Sequence, residues 1–405
     1  MTEQMPQIDP AMVPPSAREG LGDLVAWTRR MRAEHPVYRD PFGMYHVFGY
    51  DDVQSVLGDP VTFSSDSSYV MPSAAAELTS GMLAVMDPPQ HTSVRRIASQ
   101  AFTPRRVKNL NERIGEIAEE LLDALPGDEF DFVQAFSQQL PINVVAELLG
   151  IPKEDLPLFL GWTERLLAVS APNPNDEQEV ETSIEEAYMG PFMEMQSYMH
   201  GLCARLREEP GDGFISDLIQ AEVEGERLAD HQVANLAIQL VQAGHITATS
   251  VLGSAVLTLA ADPELERRLR ADHALIPDAV EEILRTQPPA PRIQRFTTVD
   301  TEIGGVPIPA RSMVLQWLIS ANHDERVFAD PERFDAARKP NRHVTFGHGI
   351  HYCFGAMLAK TEARIGLEAL FRRFAAIEVD PGARIEFYEG EMYTVRSVPV
   401  TVKRA

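Results

Sequence analysis

The chain has 405 residues, 44% of them hydrophobic and 24% charged, which is typical of a soluble globular protein with a large core. Its formal net charge of −24 argues against general nucleic-acid binding, which needs a basic surface. Two cysteines, Cys203 and Cys353, argue against a disulfide framework and suit a reducing compartment. No signal peptide or membrane anchor is visible at the N-terminus, so we expect a cytoplasmic protein.

The first third of the chain predicts short strands, then a long loop, then helices. The segment "VYRDPFGMYHVFGY" predicts two strands around a turn, and "DDVQSVLGD" predicts a short helix that begins at an aspartate. Residues 64–86 are apolar and poorly patterned, which is typical of a functional or mobile loop. From Gln90 to about Arg205 the pattern is mostly helical, with breaks at prolines and glycines.

A cluster of methionines lies in one of these helices, at Met189, Met193, Met195 and Met199. Methionine packs adaptably in irregular cores, and core packing is the interpretation that we favour. The alternative is a flexible lid over an apolar substrate.

The most apolar segment predicts a helix from about Asp230 to Ala261, roughly 45–50 Å long at 1.5 Å per residue. Its glutamines and His245 favour a buried central helix over a membrane span. After Arg285 the alternation predicts strands. We therefore expect one domain over residues 1–405, with a helix-rich core and strand-rich portions near 37–48, 295–318 and 384–403.

The ten residues "FGHGIHYCFG", positions 346–355, surround Cys353 with three glycines and two histidines. A zinc site could use His343, His348, His351 and Cys353, although no spaced C-x-x-C pair is present. A catalytic cysteine would need a base, and His351 is the nearest candidate. A haem thiolate would need one cysteine, glycines beside a flat macrocycle, and a helix that begins just after the sulfur. The helical pattern of "FGAMLAKTEARIGLEALFRRF" supplies that helix.

This segment resembles the haem-binding segment of the cytochromes P-450, with Phe346, Gly347, Gly349, Cys353 and Gly355 in place. Three further segments agree in the family's order: "AGHIT" within the long helix, "EILR", and "PERF". The resemblance covers nearly the whole chain. It implies a mainly α fold with a smaller β portion, in which the long central helix crosses the haem.

The resemblance also implies a role for individual residues. Haem b would be the cofactor, with Cys353 as the axial thiolate on iron and Phe346 packed near the sulfur. Gly347 and Gly355 would let the backbone lie beside the haem. The haem propionates would be held by His91 and Arg95, which lie four apart on one helical face, and by two further side chains, Arg295 and His343. A buried structural triad would comprise Glu282, Arg285 and Arg333.

The sequence departs from the family in the long helix. The family usually has alanine, glycine, any residue, an acid and threonine, whereas this chain reads Ala243-Gly244-His245-Ile246-Thr247. In the family, the acid and the threonine organise a water chain that brings protons to dioxygen. Either ordered water or a substrate hydroxyl replaces the acid, or the chemistry is altered, as in phenol coupling. We favour the first interpretation, in which ordered water or a substrate hydroxyl takes the role of the acid.

By analogy, the substrate pocket should be built from residues 70–86, the methionine-rich helices, Ala243–Thr247, Pro291–Ile293 and the last hairpin. The candidates within these segments are Met82, Val85, Ala243, Ile293, Met392 and Tyr393. Their apolar character predicts a sizeable, mainly apolar substrate.

The resemblance implies a monomeric monooxygenase that uses dioxygen and takes electrons from a separate ferredoxin and ferredoxin reductase. It would hydroxylate or epoxidise a specialised metabolite, and neither nucleic acid nor a membrane is expected as a partner. The alternatives are an oxidase that couples phenols or desaturates without inserting oxygen, and a haem protein that binds ligands without turnover. Basic residues near the cysteine predict a ferredoxin dock: Arg95, Arg96, Arg105, Arg106, Lys108, Arg342, Lys360 and Arg364.

Overall fold

Helices form most of the protein, and strands form a smaller part, as the sequence predicts. The computed structural model describes residues 9–15, 21–69, 79–167, 189–380, 382–388 and 392–405. The helices are α1 Leu21–Glu34, α2 Tyr50–Gly58, α3 Gln90–Ala101, α4 Pro104–Asp123, α5 Gln139–Leu149, α6 Leu156–Leu167, α7 Gly190–Glu208, α8 Phe214–Gln220, α9 Asp230–Ala261, α10 Pro263–Ala271, α11 Ile276–Thr286, α12 Leu318–Asn322 and α13 Ala356–Arg373.

The strands lie mainly in the portions that the sequence marks as strand-rich. They are β1 Val37–Arg39, β2 Tyr45–Val47, β3 Phe63–Ser64, β4 Glu129–Asp131, β5 Ile293–Thr297, β6 Thr301–Ile303, β7 Val306–Ile308, β8 Met313–Gln316, β9 Phe374–Val379, β10 Glu386–Phe387, β11 Val395–Ser397 and β12 Pro399–Arg404. A five-stranded sheet has the order β1-β2-β8-β5-β3, and a three-stranded sheet has the order β4-β12-β9. Two hairpins, β6-β7 and β10-β11, complete the strands. The sequence did not indicate β3, β4 and β9.

Helix boundaries follow local chemistry. Thr103 caps α4, because its hydroxyl oxygen accepts a hydrogen bond from the N–H of Arg106 and a proline follows at the first helical position. Gly150 ends α5 in the left-handed conformation, with φ of 80°. Asp262 ends α9 and caps α10 by accepting from the N–H of Leu265. The predicted breaks at Thr103-Pro104, Gly150 and Asp262-Pro263 therefore coincide with helix ends, whereas the break predicted at "APNPND", residues 171–176, lies outside the described residues.

The long helix α9 has the bounds that the sequence predicts, and it packs against α5, α7 and α13 at the centre of the largest core cluster. An added Cβ at Gly244 would lie 2.9 Å from Cγ2 of Val145, so glycine allows α9 to approach α5 closely. Among the described residues, α9 is the one helix that is long and apolar enough to cross a membrane, but 61% of its most apolar window is buried inside the protein. A buried core helix meets the same criteria.

The methionine-rich segment lies on α7. Met195 and Met199 are buried in the main core, whereas Met193 is 47% exposed. None of these side chains lies on the wall of the large cavity described below. Their placement agrees with core packing and gives no support to the lid alternative.

Candidate active site

One cavity of about 540 Å³ lies between α9 and the cysteine segment. The surface of its wall is mostly apolar. It brings together parts of the chain that are far apart in sequence: α3, α9, β5, the cysteine segment and α13. The predicted site residues on its wall are Val85, Arg95, Ala243, Gly244, Thr247, Ile293, Arg295, Phe346, Gly347, Cys353 and Gly355.

The cysteine segment turns back on itself so that the sulfur lies at the cavity wall. Gly347 has φ of 72°, in the left-handed region where glycine carries no steric cost. The N–H of Cys353 donates to the carbonyl oxygen of Phe346 at 2.8 Å, which closes the loop. Helix α13 begins at Ala356, three residues after the sulfur, so its positive end faces Cys353.

The thiol of Cys353 is accessible from the cavity, yet protein surrounds it on its other sides. Burial raises the pKa of this thiol. Hydrogen bonds from the backbone N–H groups of Gly355 and Ala356, and the charges of Arg95 and Lys360, act in the opposite direction and lower the pKa. This setting suits a sulfur that becomes anionic when it binds a metal cation.

A cluster of cationic and imidazole groups lies at one side of the cavity. It comprises Arg95, Arg295 and His351 on the cavity wall and His91 next to them, which does not itself line the cavity; the rings of His91 and His351 are 4.3 Å apart between centroids. Ser65 Oγ lies 3.0 Å from Nε2 of His351, and Arg95 donates to the carbonyl oxygen of Tyr352 at 2.7 Å. The sequence prediction missed His351 as a member of this cluster, although it is in the cysteine segment.

No carboxylate of the described residues forms an ion pair with Arg95 or Arg295. Burial and the charge of Arg95 lower the pKa of His91, and burial lowers the pKa of Arg295 to about 10. Burial and the charge of Arg295 lower the pKa of His351 to about 3. Asp87 lies close enough to favour the cations, but its carboxylate already accepts from the Ser64 hydroxyl and the N–H of Ser65.

The cavity therefore fits a flat cofactor that carries carboxylates. His91 is 1% exposed, and both its ring nitrogens are buried with no hydrogen-bond partner among the described residues. An unpaired buried polar atom costs roughly 1–3 kcal/mol, so a carboxylate beside His91 would remove a penalty. Haem b carries two propionates, which would meet the cation cluster, and a planar ring for which the sulfur and the apolar walls provide the two sides.

The opposite wall is formed by one face of α9. Ala243, Gly244 and Thr247 all line the cavity, with Thr247 about one turn after the first two. The hydroxyl of Thr247 donates to the carbonyl oxygen of Ala243 at 2.6 Å. Because the hydroxyl proton is engaged there, the Thr247 oxygen can act as an acceptor toward the cavity.

The two residues between Gly244 and Thr247 face elsewhere. Ile246 is partly buried and does not line the cavity. His245 is buried against α6, with its Nδ1 3.4 Å from Oγ1 of Thr163, and burial lowers its pKa to about 4. His245 is therefore neutral near pH 7 and is not a relay at the cavity surface.

The predicted substrate pocket is only partly present on the cavity wall. Val85, Ala243 and Ile293 line it. Met82, Met392 and Tyr393 do not: Met82 is buried in the main core, and the Tyr393 hydroxyl donates to the carbonyl oxygen of Pro15. Of the predicted segment 70–86, residues 70–78 lie outside the described residues. Arg292, within the predicted segment Pro291–Ile293, also lies on the wall, whereas the prediction missed Gln239, Leu240 and Gln294.

The predicted buried triad contains a wrong residue. Glu282 and Arg285 are fully buried and form a bidentate pair at 2.7 and 2.8 Å. The third member is Arg338, whose Nε lies 3.0 Å from Oε1 of Glu282, whereas Arg333 is exposed. The cluster supports the cysteine segment, because Arg285 donates to the carbonyl oxygen of Asn322, and the Asn322 side chain accepts from the N–H of Val344.

The placement of His343 also corrects the prediction. Its Nε2 is 2.9 Å from Oε2 of Glu281, and the residue does not line the cavity. The imidazole on the wall is that of His351, eight residues later. In the described part of the chain, no group of three or more histidine, cysteine, aspartate or glutamate side chains is arranged to hold a metal ion, so the alternative of a zinc site finds no support.

Many cations of the predicted dock have acidic partners. Arg96 pairs with Glu224 at 2.8 Å, Lys360 with Glu281 at 2.6 Å and Arg364 with Glu368 at 2.8 Å, and Arg106 pairs with Asp217. Three members, Arg105, Lys108 and Arg342, are exposed and form no ion pair with the described residues. The dock is therefore less basic than its sequence suggests.

Comparisons with known proteins agree with the geometry. The family model for Cytochrome P450 matches residues 166–404. The chain is 41% identical to the erythromycin C-12 hydroxylase of Saccharopolyspora erythraea, over 93% of this chain and 94% of that protein. It is 40% identical to the cyclomarin C epoxidase CymV of Salinispora arenicola, over 93% of this chain and 95% of that protein. A solved structure of a mutant of P450 EryK with erythromycin B is similar with a TM-score of 0.89 and 39% identity, over 97% of this chain and 99% of that chain.

Proposed function

This chain belongs to the cytochrome P450 family and is a haem b-dependent monooxygenase, and we propose that it hydroxylates or epoxidises a sizeable, mainly apolar specialised metabolite. We further propose that electrons come from a separate ferredoxin, reduced by a ferredoxin reductase. The observation that carries this proposal is a cavity whose wall brings together Cys353, the cations Arg95 and Arg295, and the Ala243–Thr247 face of α9.

In this proposal the chain would bind the cofactor in two ways, through the propionates and through the sulfur of Cys353. Haem b, when bound, supplies an iron that activates dioxygen with two electrons. The propionates would be held by His91, Arg95, Arg295 and His351, which would give the two His91 ring nitrogens the partners that they lack among the described residues. The sulfur of Cys353 would bind the iron, and the backbone N–H groups of Gly355 and Ala356 would stabilise its negative charge.

The α9 face provides the side on which dioxygen reacts. Ala243 and Gly244 have side chains small enough to leave space there, and Thr247 presents a hydroxyl oxygen. That oxygen accepts a hydrogen bond from a water that carries protons inward. The rest of the wall is mainly apolar and excludes excess water, which protects the reaction from loss of reducing equivalents.

The substrate is proposed to lie between α9, the segment around Val85 and strand β5. Leu240, Ala243, Val85 and Ile293 offer apolar contacts. Gln239 is a polar group on this wall, and its Oε1 is fixed because it accepts from the N–H of Leu83 at 2.7 Å. The relatives named erythromycin C-12 hydroxylase and cyclomarin C epoxidase support a substrate of similar bulk.

The test begins with a ligand screen that follows the Soret band, because a substrate that displaces water from the iron shifts it. The best ligand is then turned over with a surrogate ferredoxin, ferredoxin reductase and NADH under ¹⁸O₂. The proposal predicts one ¹⁸O atom in the product. A product without ¹⁸O, formed by coupling or desaturation, would contradict oxygen insertion.

That second outcome is the alternative that Ile246 favours. With no acid before Thr247, this helix departs from the family pattern, and altered chemistry such as the coupling of phenols is the alternative to oxygen insertion. The same ¹⁸O₂ experiment separates the two. A protein that binds ligands but consumes no NADH would instead indicate ligand binding without turnover.

A further inference from the structure

One polar side chain, that of Gln239, lies on an otherwise apolar part of the cavity wall. It is half-buried, and its neighbours on the wall from the same helix, α9, are Leu236, Leu240 and Ala243. Residues three and four apart share one face of a helix. Gln239 therefore lies on the face of α9 that carries Ala243 and Thr247, four residues before the alanine.

The orientation of the Gln239 amide is fixed by its partner. Its Oε1 accepts a hydrogen bond from the backbone N–H of Leu83 at 2.7 Å. A backbone N–H can only donate, so the oxygen of the amide, and not its nitrogen, must face Leu83. The amino group Nε2 is the other end of the same planar group, and no described residue accepts a hydrogen bond from it. Two N–H donors are thus left for a molecule in the cavity.

The segment that contains Leu83 is itself fastened to α9. A Cβ added at Gly81 would lie 2.6 Å from the backbone of α9, so glycine allows the segment to approach the helix closely. Nδ2 of Asn235 donates to the carbonyl oxygen of Ser80 at 2.8 Å. Asn235 and Gln239 are one turn apart, so two amide side chains of α9 hold the same segment. The N–H of Leu83 is therefore kept in place for Oε1 of Gln239.

Hydroxyl groups on the same wall have partners within the protein. The hydroxyl of Thr345 donates to the carbonyl oxygen of Leu284 at 2.7 Å, and that of Thr247 donates within α9 at 2.6 Å. Either would have to give up an internal hydrogen bond before it could donate to a substrate. Gln239 offers neutral donors beside α9 without that loss.

We propose that Gln239 selects substrates that carry a hydrogen-bond-accepting oxygen, such as a ketone or lactone carbonyl, and holds that oxygen about one helical turn from the carbon that is oxidised. This inference rests on the proposed function, in which dioxygen reacts beside Ala243 and Gly244. Four residues at 1.5 Å per residue set the offset along α9 at about 6 Å. A hydrocarbon in the same place would leave the Nε2 donors desolvated and unpaired, which lowers its affinity.

The test compares two ring molecules that differ by one oxygen, cyclododecanone and cyclododecane. The Soret band of the holoprotein is titrated with each in the same dilute co-solvent, and a ring that gives no shift is measured by competition with imidazole. The ratio of the two dissociation constants is then compared between wild type and variant, which cancels the difference in how water solvates the two rings. Gln239→Leu should lower the preference for the ketone about fivefold, which is about 1 kcal/mol at 1.4 kcal/mol per tenfold.

A second variant separates the Nε2 donors from the hold on Leu83. At pH 9 the carboxylate of Gln239→Glu can still accept from the Leu83 N–H, but it has no hydrogen to donate. It should therefore lose the preference for the ketone at least as fully as Gln239→Leu. Gln220→Leu, an exposed control on α8, should keep the wild-type ratio. A wild-type ratio in either Gln239 variant would overturn the proposal; retention in Gln239→Glu alone would show that the side chain only fastens Leu83.

Turnover of cyclododecanone under ¹⁸O₂ tests where the bound oxygen is held. Wild type should oxidise mainly carbons across the ring from the carbonyl, and Gln239→Leu should spread the ¹⁸O over more positions. An unchanged distribution of regioisomers in Gln239→Leu would contradict the positioning role. If wild type forms no ¹⁸O product from cyclododecanone or from the best ligand of the Soret screen, the proposed function fails, and the titrations still decide whether Gln239 selects the oxygen.

Discussion

Replacement of Arg338 should destabilise the protein, whereas replacement of Arg333 should have little effect on stability. The carboxylate of Glu282 accepts five hydrogen bonds: from Nε and Nη2 of Arg285, the N–H of Asp335, Nε of Arg338 and Nδ2 of Asn341. The Arg338 side chain is 9% exposed and also donates to the carbonyl oxygens of Ala329, Asp330 and Arg333. Its replacement by alanine leaves part of a buried carboxylate without a donor.

The expected cost of Arg338→Ala is about 3 kcal/mol, because one charged hydrogen bond is worth about 1.5–3 kcal/mol and a broken buried pair about 3–5 kcal/mol. Arg285 still holds Glu282, which places the estimate at the low end. In a chain of this length 1 kcal/mol shifts the melting temperature by roughly 1–2 °C, so the melting temperature should fall by roughly 3–6 °C. Arg333→Ala should shift it by less than about 1 °C, because an exposed side chain is lost.

The assay is thermal unfolding of the holoprotein, followed by far-ultraviolet circular dichroism and by the Soret band at one scan rate. Haem release should also quicken in Arg338→Ala, because the Glu282 cluster supports the cysteine segment through Asn322. A melting temperature within 1 °C of wild type for Arg338→Ala, or an equal fall for Arg333→Ala, would refute this reasoning.

Three further predictions test other parts of the site. Thr247→Ala should raise peroxide and lower product per NADH with every substrate, as measured from both yields; an unchanged ratio would mean that the Thr247 hydroxyl has no part in proton delivery. His245 has a folded-state pKa of about 4, below the usual 6.5, so the unfolded chain binds more protons between these values and stability is lost as the pH falls from about 6.5 to 4. The loss is up to about 3 kcal/mol, and His245→Gln should show a shallower fall of melting temperature over that range; an equal fall would contradict the assignment. Arg342→Glu should slow reduction by ferredoxin at low salt and much less at high salt, whereas Arg384→Glu, an exposed control, should not; equal rates for both would place the dock elsewhere.

Local sequence signals were sufficient for much of the fold. The bounds of α9 could be predicted because an apolar run ends at Asp262-Pro263, and the turn at the cysteine could be predicted because its glycines and the following helix are contiguous. Strands β3, β4 and β9 were missed. Strand β3 pairs with β5, and both β4 and β9 pair with β12, which is 268 residues from β4 in sequence. Pairing rather than local pattern therefore defines these strands.

Errors in the site arose where a contact depends on the path of a loop. Arg333 and Arg338 lie in one irregular segment, and no periodicity tells which of them turns inward to Glu282. His343 and His351 flank the same turn, and only the folded loop shows that His351 faces His91. Glu362 follows an ordinary helical pattern, and only the folded structure shows that its buried Oε2 has no hydrogen-bond partner among the described residues.

The central claim is that Cys353 binds the iron of haem b as a thiolate. The most direct measurement is the absorption spectrum of the reduced protein after treatment with carbon monoxide, with one haem per chain in the purified protein. We predict a strongly red-shifted Soret band in wild type and in Cys203→Ser, because Cys203 is buried in the core away from the cavity. The band should be lost in Cys353→His. A red-shifted band that survives in Cys353→His, or a wild-type protein that lacks the band, would contradict the account.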